Sequence, residues 1–288
     1  MNVKILADSA CDLAKDHYDE YGIEMVPLNV HLDDKAYADA VEIDPKTIYD
    51  AMRNGKAPKT SQPAPEAFKD LFTACAEKNE PLVYIGFSSG LSGTFQSAKI
   101  MEDQIKSEYP DAPLYLIDSK CASLGYGLVV LHAAKMAKAG ATAEESVEAA
   151  EHQAKHMEHV FTVDDLEYLY RGGRVSKTSA FVGGLLKIKP ILQVDDGKLV
   201  PIEKIRGSKK VLSRMVELME ERGKDFENQV IAISHGDDIE RAEKLASMIQ
   251  EKFGIKRENI IIEMVGAVIG AHSGPGTLAL FFSNQPSK

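Results

Sequence analysis

The chain of 288 residues contains no tryptophan and only three cysteines, Cys11, Cys75 and Cys121. They lie far apart and form no Cys-x-x-Cys pair, so the spacing indicates neither a disulfide framework nor a zinc motif, and we expect buried thiols in a reducing compartment. Basic residues are also in deficit, because 34 Lys and Arg stand against 44 Asp and Glu, a formal net charge of −10. Since nucleic-acid binding requires an excess of positive charge, nucleic acid is not expected as the main partner.

Long runs of apolar residues are scarce. One stretch without formal charge extends from Met264 to Gln285, but His272, Ser273 and the sequence 274–276 (Gly-Pro-Gly) at its centre would break a spanning helix. We therefore predict strand, loop and strand here. At the N-terminus, Asp8 ends the first apolar stretch too early for a signal peptide. These features predict a cytoplasmic protein without stable membrane insertion.

Positive charge is nevertheless concentrated in one segment. From Arg171 to Arg214 there are eleven Lys and Arg and only three acidic residues, Asp195, Asp196 and Glu203, a local balance of +8. Such a segment is either a solvated basic face or a surface that meets an acidic partner or a phosphate.

The order of apolar segments predicts the fold class. In the N-terminal half, strand patterns such as 82–87 alternate with helical ones such as 65–78, which implies a parallel sheet with helices on both faces. After residue 160 the pattern is mixed, and a turn signal at 195–198 predicts a β-hairpin. We predict an α/β protein of two domains: residues 1–160 form a three-layer α/β/α domain with a parallel sheet, and residues 161–288 form a two-layer α+β domain with a mixed sheet. Other predicted elements include one strand over 23–32 and helices over 208–222 and 239–253.

Three loops of small and hydroxylic residues are the most informative local feature. They are 60–63 (Thr-Ser-Gln-Pro), 88–94 (Ser-Ser-Gly-Leu-Ser-Gly-Thr) and 270–276 (Gly-Ala-His-Ser-Gly-Pro-Gly). Each combines hydrogen-bond donors with residues that allow close backbone approach, and none contains a carboxylate. Such loops suit a bound anion better than they suit hydrolysis.

The loop 88–94 follows a buried strand and opens a helix, so backbone N–H groups and the positive end of the helix dipole are available there. The hydroxyls of Ser92 and Thr94 add donors. The loop lacks the lysine of a Walker A motif, and Thr94 stands where a Gly-x-Ser-x-Gly elbow requires glycine. A plain glycine-assisted turn is the alternative. For His272, ligand contact and a structural role are both open.

Two further patterns resemble functional sites. His152, His156 and His159 have the spacing of one helix face, where an exposed polar surface is favoured over a metal site. In the sequence 234–238 (Ser-His-Gly-Asp-Asp), an aspartate that caps the next helix explains the pattern.

Taken together, these motifs resemble the DegV family, whose characterised members bind a fatty acid. The resemblance extends over nearly the whole chain, with Phe95 where the family often has Tyr and Ser273 where Thr is common. The matching segments are 8–9, 12–13, 60–63, 88–94, 171–177, 185–191 and 270–276.

The resemblance implies an acyl chain in an apolar tunnel between the domains, and a partner kinase that phosphorylates the bound carboxylate from ATP. We expect no cofactor besides the fatty acid, no metal and no catalytic residue. Two members of the basic segment, Arg171 and Arg174, are our candidates for docking the kinase. The residues expected to bind the carboxylate are Thr60, Ser61, Ser92, Gly93, Arg206 and His272, and those expected to support the anion-binding loops are Ser88, Ser89, Thr94 and Gly274.

Two other functions remain possible from the sequence. One is a Ser/His hydrolase or acyltransferase that uses Ser92 and His272, although no acidic residue in the loops is an obvious third member. The other is a regulator in which lipid occupancy changes a protein contact.

Overall fold

The computed structural model describes residues 3–176 and 188–286, and the side chain of Ile188 is not described. Its strands are β1 Lys4–Asp8, β2 Ile23–Val26, β3 Asn29–Leu32, β4 Lys35–Ala38, β5 Lys59–Ser61, β6 Leu82–Gly86, β7 Leu114–Asp118, β8 Met157–Thr162, β9 Ile188–Asp195, β10 Lys198–Arg206, β11 Ile231–His235, β12 Ile260–Met264 and β13 Leu278–Ser283. Its α-helices are α1 Lys15–Tyr21, α2 Pro45–Arg53, α3 Pro65–Lys78, α4 Thr94–Glu108, α5 Ser123–Lys138, α6 Ala143–Lys155, α7 Leu166–Arg171, α8 Ser208–Arg222, α9 Ile239–Phe253 and α10 Ala267–Ser273.

The N-terminal region is built on a parallel sheet with strand order β2-β1-β6-β7. Alternate residues of β1 face opposite layers: Leu6 packs in a cluster with α3 and α4, whereas Ile5 packs in a cluster with α5 and α6. Burial on both faces explains why these strands are continuous apolar runs. A separate three-stranded sheet, β4-β3-β5, lies beside this region and carries the segment 59–61.

The C-terminal region contains a six-stranded mixed sheet of order β10-β9-β8-β13-β11-β12, antiparallel except between β11 and β12. One face packs against α8 and α9 through Val160, Leu278, Leu280 and Phe282. The other face, which includes Phe161 and Phe281, turns toward α5 and the N-terminal region. The predicted fold class is therefore confirmed. The predicted division at residue 160 falls inside β8.

Two predicted elements are wrong. The single strand predicted over 23–32 is two strands in different sheets, because Pro27 cannot donate a backbone hydrogen bond and the chain leaves the first sheet there. The segment predicted as strand, loop and strand contains the helix α10 between β12 and β13. Its glycines favoured the loop prediction, but Gly266 and Gly274 cap the helix ends and the interior is buried. Among the described residues, no helix is both long and apolar enough to cross a membrane.

The predicted helical register of three histidines is also wrong. Helix α6 ends at Lys155, so His156 is its C-cap and His159 lies on β8. His152 and His156 remain neighbours, with ring centroids 4.7 Å apart. Within residues 3–176 and 188–286, no group of three or more His, Cys, Asp and Glu side chains is placed to hold a metal. The capping prediction for Asp238 is confirmed, since its side chain accepts from the amide of Arg241.

Candidate functional site

A cavity of about 220 Å³ lies between the N-terminal region and the inner face of the six-stranded sheet. Its walls come from the carboxyl end of β6, the start of α5, the hairpin β9–β10 and the helix α10. The lining side chains are apolar over most of the surface and polar at one end. The apolar lining includes Leu28, Phe87, Leu91, Phe161, Leu169, Val194, Leu199, Val265, Val268, Ile269, Ala279 and Phe281.

The polar end brings together two of the three loops that the sequence singled out. Thr60 on β5 and His272 on α10 are 212 positions apart, yet Thr60 Oγ1 lies 2.7 Å from His272 Nε2. The adjacent Ser61 also lines the cavity, and its hydroxyl lies 2.9 Å from His31 Nε2.

The third loop contributes Ser92 and Gly93 to the same cavity. The Ser92 hydroxyl accepts a bond from the amide of Thr94 at 3.3 Å and lies 2.9 Å from the Thr94 hydroxyl. Gly93 is the N-cap of α4, a helix of 15 residues, so the positive end of its dipole lies beside the cavity.

Arg174 contributes a guanidinium group to this end of the cavity. It donates from Nε to the carbonyl of Leu91 at 3.1 Å and from Nη1 to the carbonyl of Gly172 at 2.5 Å. Among the described residues it has no acidic partner. Burial lowers the pKa of Arg174, but a guanidinium remains charged in proteins. Within the part of the chain that the structure describes, the site therefore contains a half-buried positive charge without a counter-ion.

His272 is neutral at physiological pH. Burial, assisted by the nearby charge of Arg174, lowers the pKa of His272 to about 4. The Nδ1 side of its ring faces the backbone of Gly172, and Nε2 faces Thr60. A neutral imidazole that is held in this way offers one N–H donor and is a weak general base.

Other predicted site residues lie away from the cavity lining. Ser88 is buried and donates to the carbonyl of Gly197 at 2.7 Å, and Ser89 donates to Asp118 at 2.5 Å. These bonds connect the loop to the tip of the hairpin β9–β10 and to β7. Thr94 is buried behind Ser92, and Gly274 ends α10 with φ of 80°. Arg206 is exposed at the last position of β10 and does not line the cavity.

A second cleft, of about 420 Å³, adjoins the polar end from outside. It shares Thr60, Arg174 and His272 with the main cavity and adds Lys59 and Arg171. Arg171 is exposed and stacks on the ring of Tyr168, 4.9 Å from its centroid. The described lining of this cleft has three cations and no acidic side chain. The two predicted docking arginines thus differ, since Arg171 lines only the outer cleft and Arg174 lines both.

Several polar residues of the lining were not among the predicted site residues, namely Gln62, Ser123, His159, Ser273 and Thr277. His159 lies on the cavity wall, accepts from the amide of Ala122 at 3.2 Å, and packs edge-on against Phe281. Gln62 also lines the cavity, beside Gly93. The alternation of inward and outward residues along β8 was the available signal for His159, because it places residues 159 and 161 on one face.

Comparison with known proteins shows which family the chain belongs to. The family model described as "Uncharacterised protein, DegV family" matches residues 2–285. The chain belongs to the DegV family. A DegV domain-containing protein of Clostridium perfringens is 40% identical over 281 residues, which cover 96% of each chain. Protein DegV of Bacillus subtilis is 34% identical over 282 residues, covering 97% of this chain and 98% of the relative.

Solved structures of DegV proteins have the same fold. A fatty-acid-binding DegV protein from Thermus thermophilus is 30% identical, with a TM-score of 0.88 and coverage of 98% of this chain and 100% of that one. The B. subtilis DegV structure, described as a fatty acid binding protein, is 33% identical with a TM-score of 0.84 and covers 98% of each chain. A stearic-acid-binding protein from Eubacterium ventriosum is 28% identical with a TM-score of 0.85 and covers 97% of each chain.

Proposed function

We propose that this protein binds a long-chain fatty acid, with the acyl chain in the apolar part of the cavity and the carboxylate at its polar end. The observation that carries the proposal is the composition of that polar end. Thr60, Ser92 and His272 supply donors there, and Arg174 supplies a positive charge without an acidic partner among the described residues. The fatty acids bound by related DegV proteins support this assignment.

The apolar part and the polar end of the cavity contribute to fatty-acid affinity in different ways. Each buried methylene contributes about 0.8 kcal/mol, so the chain of a C16 acid supplies most of the affinity. A carboxylate buried without partners would cancel much of this gain, whereas each hydrogen bond to a charged group contributes about 1.5–3 kcal/mol. The polar end therefore orients the ligand and prevents a net cost at the carboxylate.

We assign no reaction to this protein by itself. The bonded partner of His272 is Thr60, while the bonds of Ser92 go to Thr94. A histidine whose pKa is about 4 is a poor base for activating a hydroxyl group. These features favour a carrier over a Ser/His hydrolase.

The outer cleft supports presentation of the carboxylate to a kinase, the role that the family resemblance implies. It shares Thr60, Arg174 and His272 with the polar end, and Lys59 and Arg171 add two further cations to its lining. Positive groups at this position favour both the phosphates of ATP and the charge that develops during phosphoryl transfer. We propose that Arg171 docks the partner and that Arg174 primarily contacts the fatty acid.

Mass spectrometry of lipid extracted from the purified protein tests the ligand class, and we expect one fatty acid per chain. Thr60→Val removes one donor and keeps the side-chain shape, so the Kd for palmitate should rise about ten- to 150-fold. Binding of methyl palmitate, which has the same chain and no carboxylate, should change little. Thr47→Val, at an exposed position of α2, is the matched control. A protein that carries and binds no fatty acid contradicts the proposal.

Two assays separate presentation from hydrolysis. Arg171→Glu should weaken ATP-dependent acyl-phosphate formation by a fatty acid kinase and leave palmitate binding unchanged. Equal loss of acyl-phosphate formation and of palmitate binding would contradict a docking role. Incubation with a nitrophenyl ester should give no turnover, and turnover that Ser92→Ala abolishes would establish the hydrolase instead.

A further inference from the structure

Two buried carboxylates outside the cavity are not used by the proposed binding mechanism. Asp12 and Asp39 are 8% and 1% exposed, and neither has an ion-pair partner among the described residues. Ser123 donates to Asp12 Oδ2 at 2.5 Å, and Ser9 donates to Asp39 Oδ2 at 2.8 Å. The Oδ1 atom of each carboxylate is buried and has no hydrogen-bond partner of normal geometry among the described groups.

Both Oδ1 atoms face the start of α10. A Cβ atom placed on Gly266, the N-cap of this helix, would lie 2.5 Å from Asp12 Oδ1 and 3.9 Å from Asp39 Oδ1. Burial raises the pKa of both carboxyl groups, while the amides of Ala267 and Val268 favour the charged form of Asp39. The partial positive charge at the start of the helix thus partly compensates these acids.

The other end of α10 carries His272. A helix of seven residues is not stable alone, so contacts determine where α10 lies. Ala267, Val268 and Ala271 pack on α2, which fixes the distance between the two helices. At the C-terminal end, His272 meets Thr60. At the N-terminal end the acid pair lies beside the bond that Tyr49 donates to the carbonyl of Val265 at 2.9 Å. A shift of the helix there would move the imidazole by a similar distance.

We infer that Asp12 and Asp39 are positioning residues, which hold α10 in the register that places His272 against Thr60 and the ligand carboxylate. This inference rests on the proposed fatty-acid binding. It assigns a role to Asp12 and to Ser9, which donates to Asp39, and neither residue lines the cavity.

The experiment compares a carboxylate ligand with one that lacks the carboxylate. Asp39→Ala should raise the Kd for palmitate about tenfold, the cost of one weakened hydrogen bond to a charged group. The Kd for methyl palmitate should rise by a smaller factor, because Val268 and Ile269 of α10 also line the apolar part of the cavity. Asp39→Asn keeps the shape and an acceptor for Ser9, so it should recover most of the affinity. Asp50→Ala, which removes an exposed carboxylate from α2, is the control and should change neither value.

A coupling measurement completes the test. In a His272→Ala background, Asp39→Ala should cause no loss of palmitate affinity beyond the smaller loss seen for methyl palmitate, because the carboxylate-binding group that it positions is absent. Equal loss for both ligands, additive losses in the double variant, or no loss at all would overturn the inference. If the Ala variant does not fold, Asp39→Ser, which also shortens the side chain and removes the carboxylate, replaces it with the same expected results.

A readout without ligand separates this inference from the proposed function. The ¹⁵N chemical shifts of the His272 ring report its bond to Thr60, and they should change in Asp39→Ala but not in Asp50→Ala. Wild-type protein that binds neither lipid refutes fatty-acid binding. Unchanged ring shifts in Asp39→Ala refute the positioning role.

Discussion

Arg174→Met offers a sharp test of how the site holds a carboxylate. Arg174 is half-buried at the polar end of the cavity, and its two hydrogen bonds go to the backbone carbonyls of Leu91 and Gly172. Methionine keeps much of the length and apolar contact of the side chain while removing the charge. The substitution should therefore act on the ligand carboxylate more than on the cavity wall.

The expected loss of palmitate affinity follows from the environment of the guanidinium. A charge-assisted bond between Arg174 and a bound carboxylate contributes about 1.5–3 kcal/mol, equivalent to about ten- to 150-fold in Kd. Desolvation already disfavours the charged form in the free protein and lowers the pKa of Arg174. In the protein without ligand, removing the charge therefore removes this desolvation cost. We expect the free energy of unfolding of the empty protein to fall little.

The assay measures the Kd for palmitate and for methyl palmitate, each at low and at high salt. Arg174→Met should weaken palmitate binding selectively and reduce its salt dependence. Arg171→Met is the matched control, because Arg171 lies three positions away, stacks on Tyr168 and lines only the outer cleft. Equal effects of the two substitutions on palmitate binding would refute the assignment of Arg174 to the carboxylate, as would an unchanged Kd in Arg174→Met.

Two further predictions concern the scaffold. Burial lowers the pKa of His159 from 6.5 to about 4. On acidification the unfolded chain therefore binds a proton at this histidine before the folded protein does. The stability that the neutral side chain contributes is lost as pH falls from about 6.5 to about 4. Denaturant titrations should show the stability difference between wild type and His159→Gln shrinking by up to about 3 kcal/mol over that range, and a constant difference would contradict the argument. Gly197→Ala should destabilise the protein more than Gly140→Ala: both glycines have positive φ, but only at Gly197 would the Cβ meet a neighbour, the Ser88 hydroxyl at 2.4 Å. Equal losses in thermal unfolding would mean that the hairpin contact contributes nothing.

The regular elements could be predicted because their signals are local. The helix over 65–78 begins with proline and has apolar residues at helical spacing, and it is found with those bounds, as are the helices over 208–222 and 239–253. Predictions were wrong where tertiary contacts overrode local preference. The segment that forms α10 contains helix-breaking glycines and is stabilised by packing on α2 and by the pairing of His272 with Thr60.

The candidate site was predicted only in part, for a similar reason. Thr60, Ser61, Ser92, Gly93 and His272 line one cavity, in agreement with the chemistry expected from their loops. The sequence could not distinguish the roles of Arg171, Arg174 and Arg206, because all three belong to the same basic segment of the chain. Their difference in burial depends on how α7 and the hairpin β9–β10 pack against the N-terminal region.

By itself, the sequence determined the α/β alternation, the family, and the presence of three donor-rich loops without carboxylates, since these depend on residue type and spacing along the chain. Only the tertiary structure decided which donors meet. It brought Thr60 within 2.7 Å of a histidine 212 positions away and left Ser88 and Ser89 bonded to the scaffold. The physical reason is that hydrogen bonding and desolvation act over a few ångströms, and packing sets those distances between residues remote in sequence.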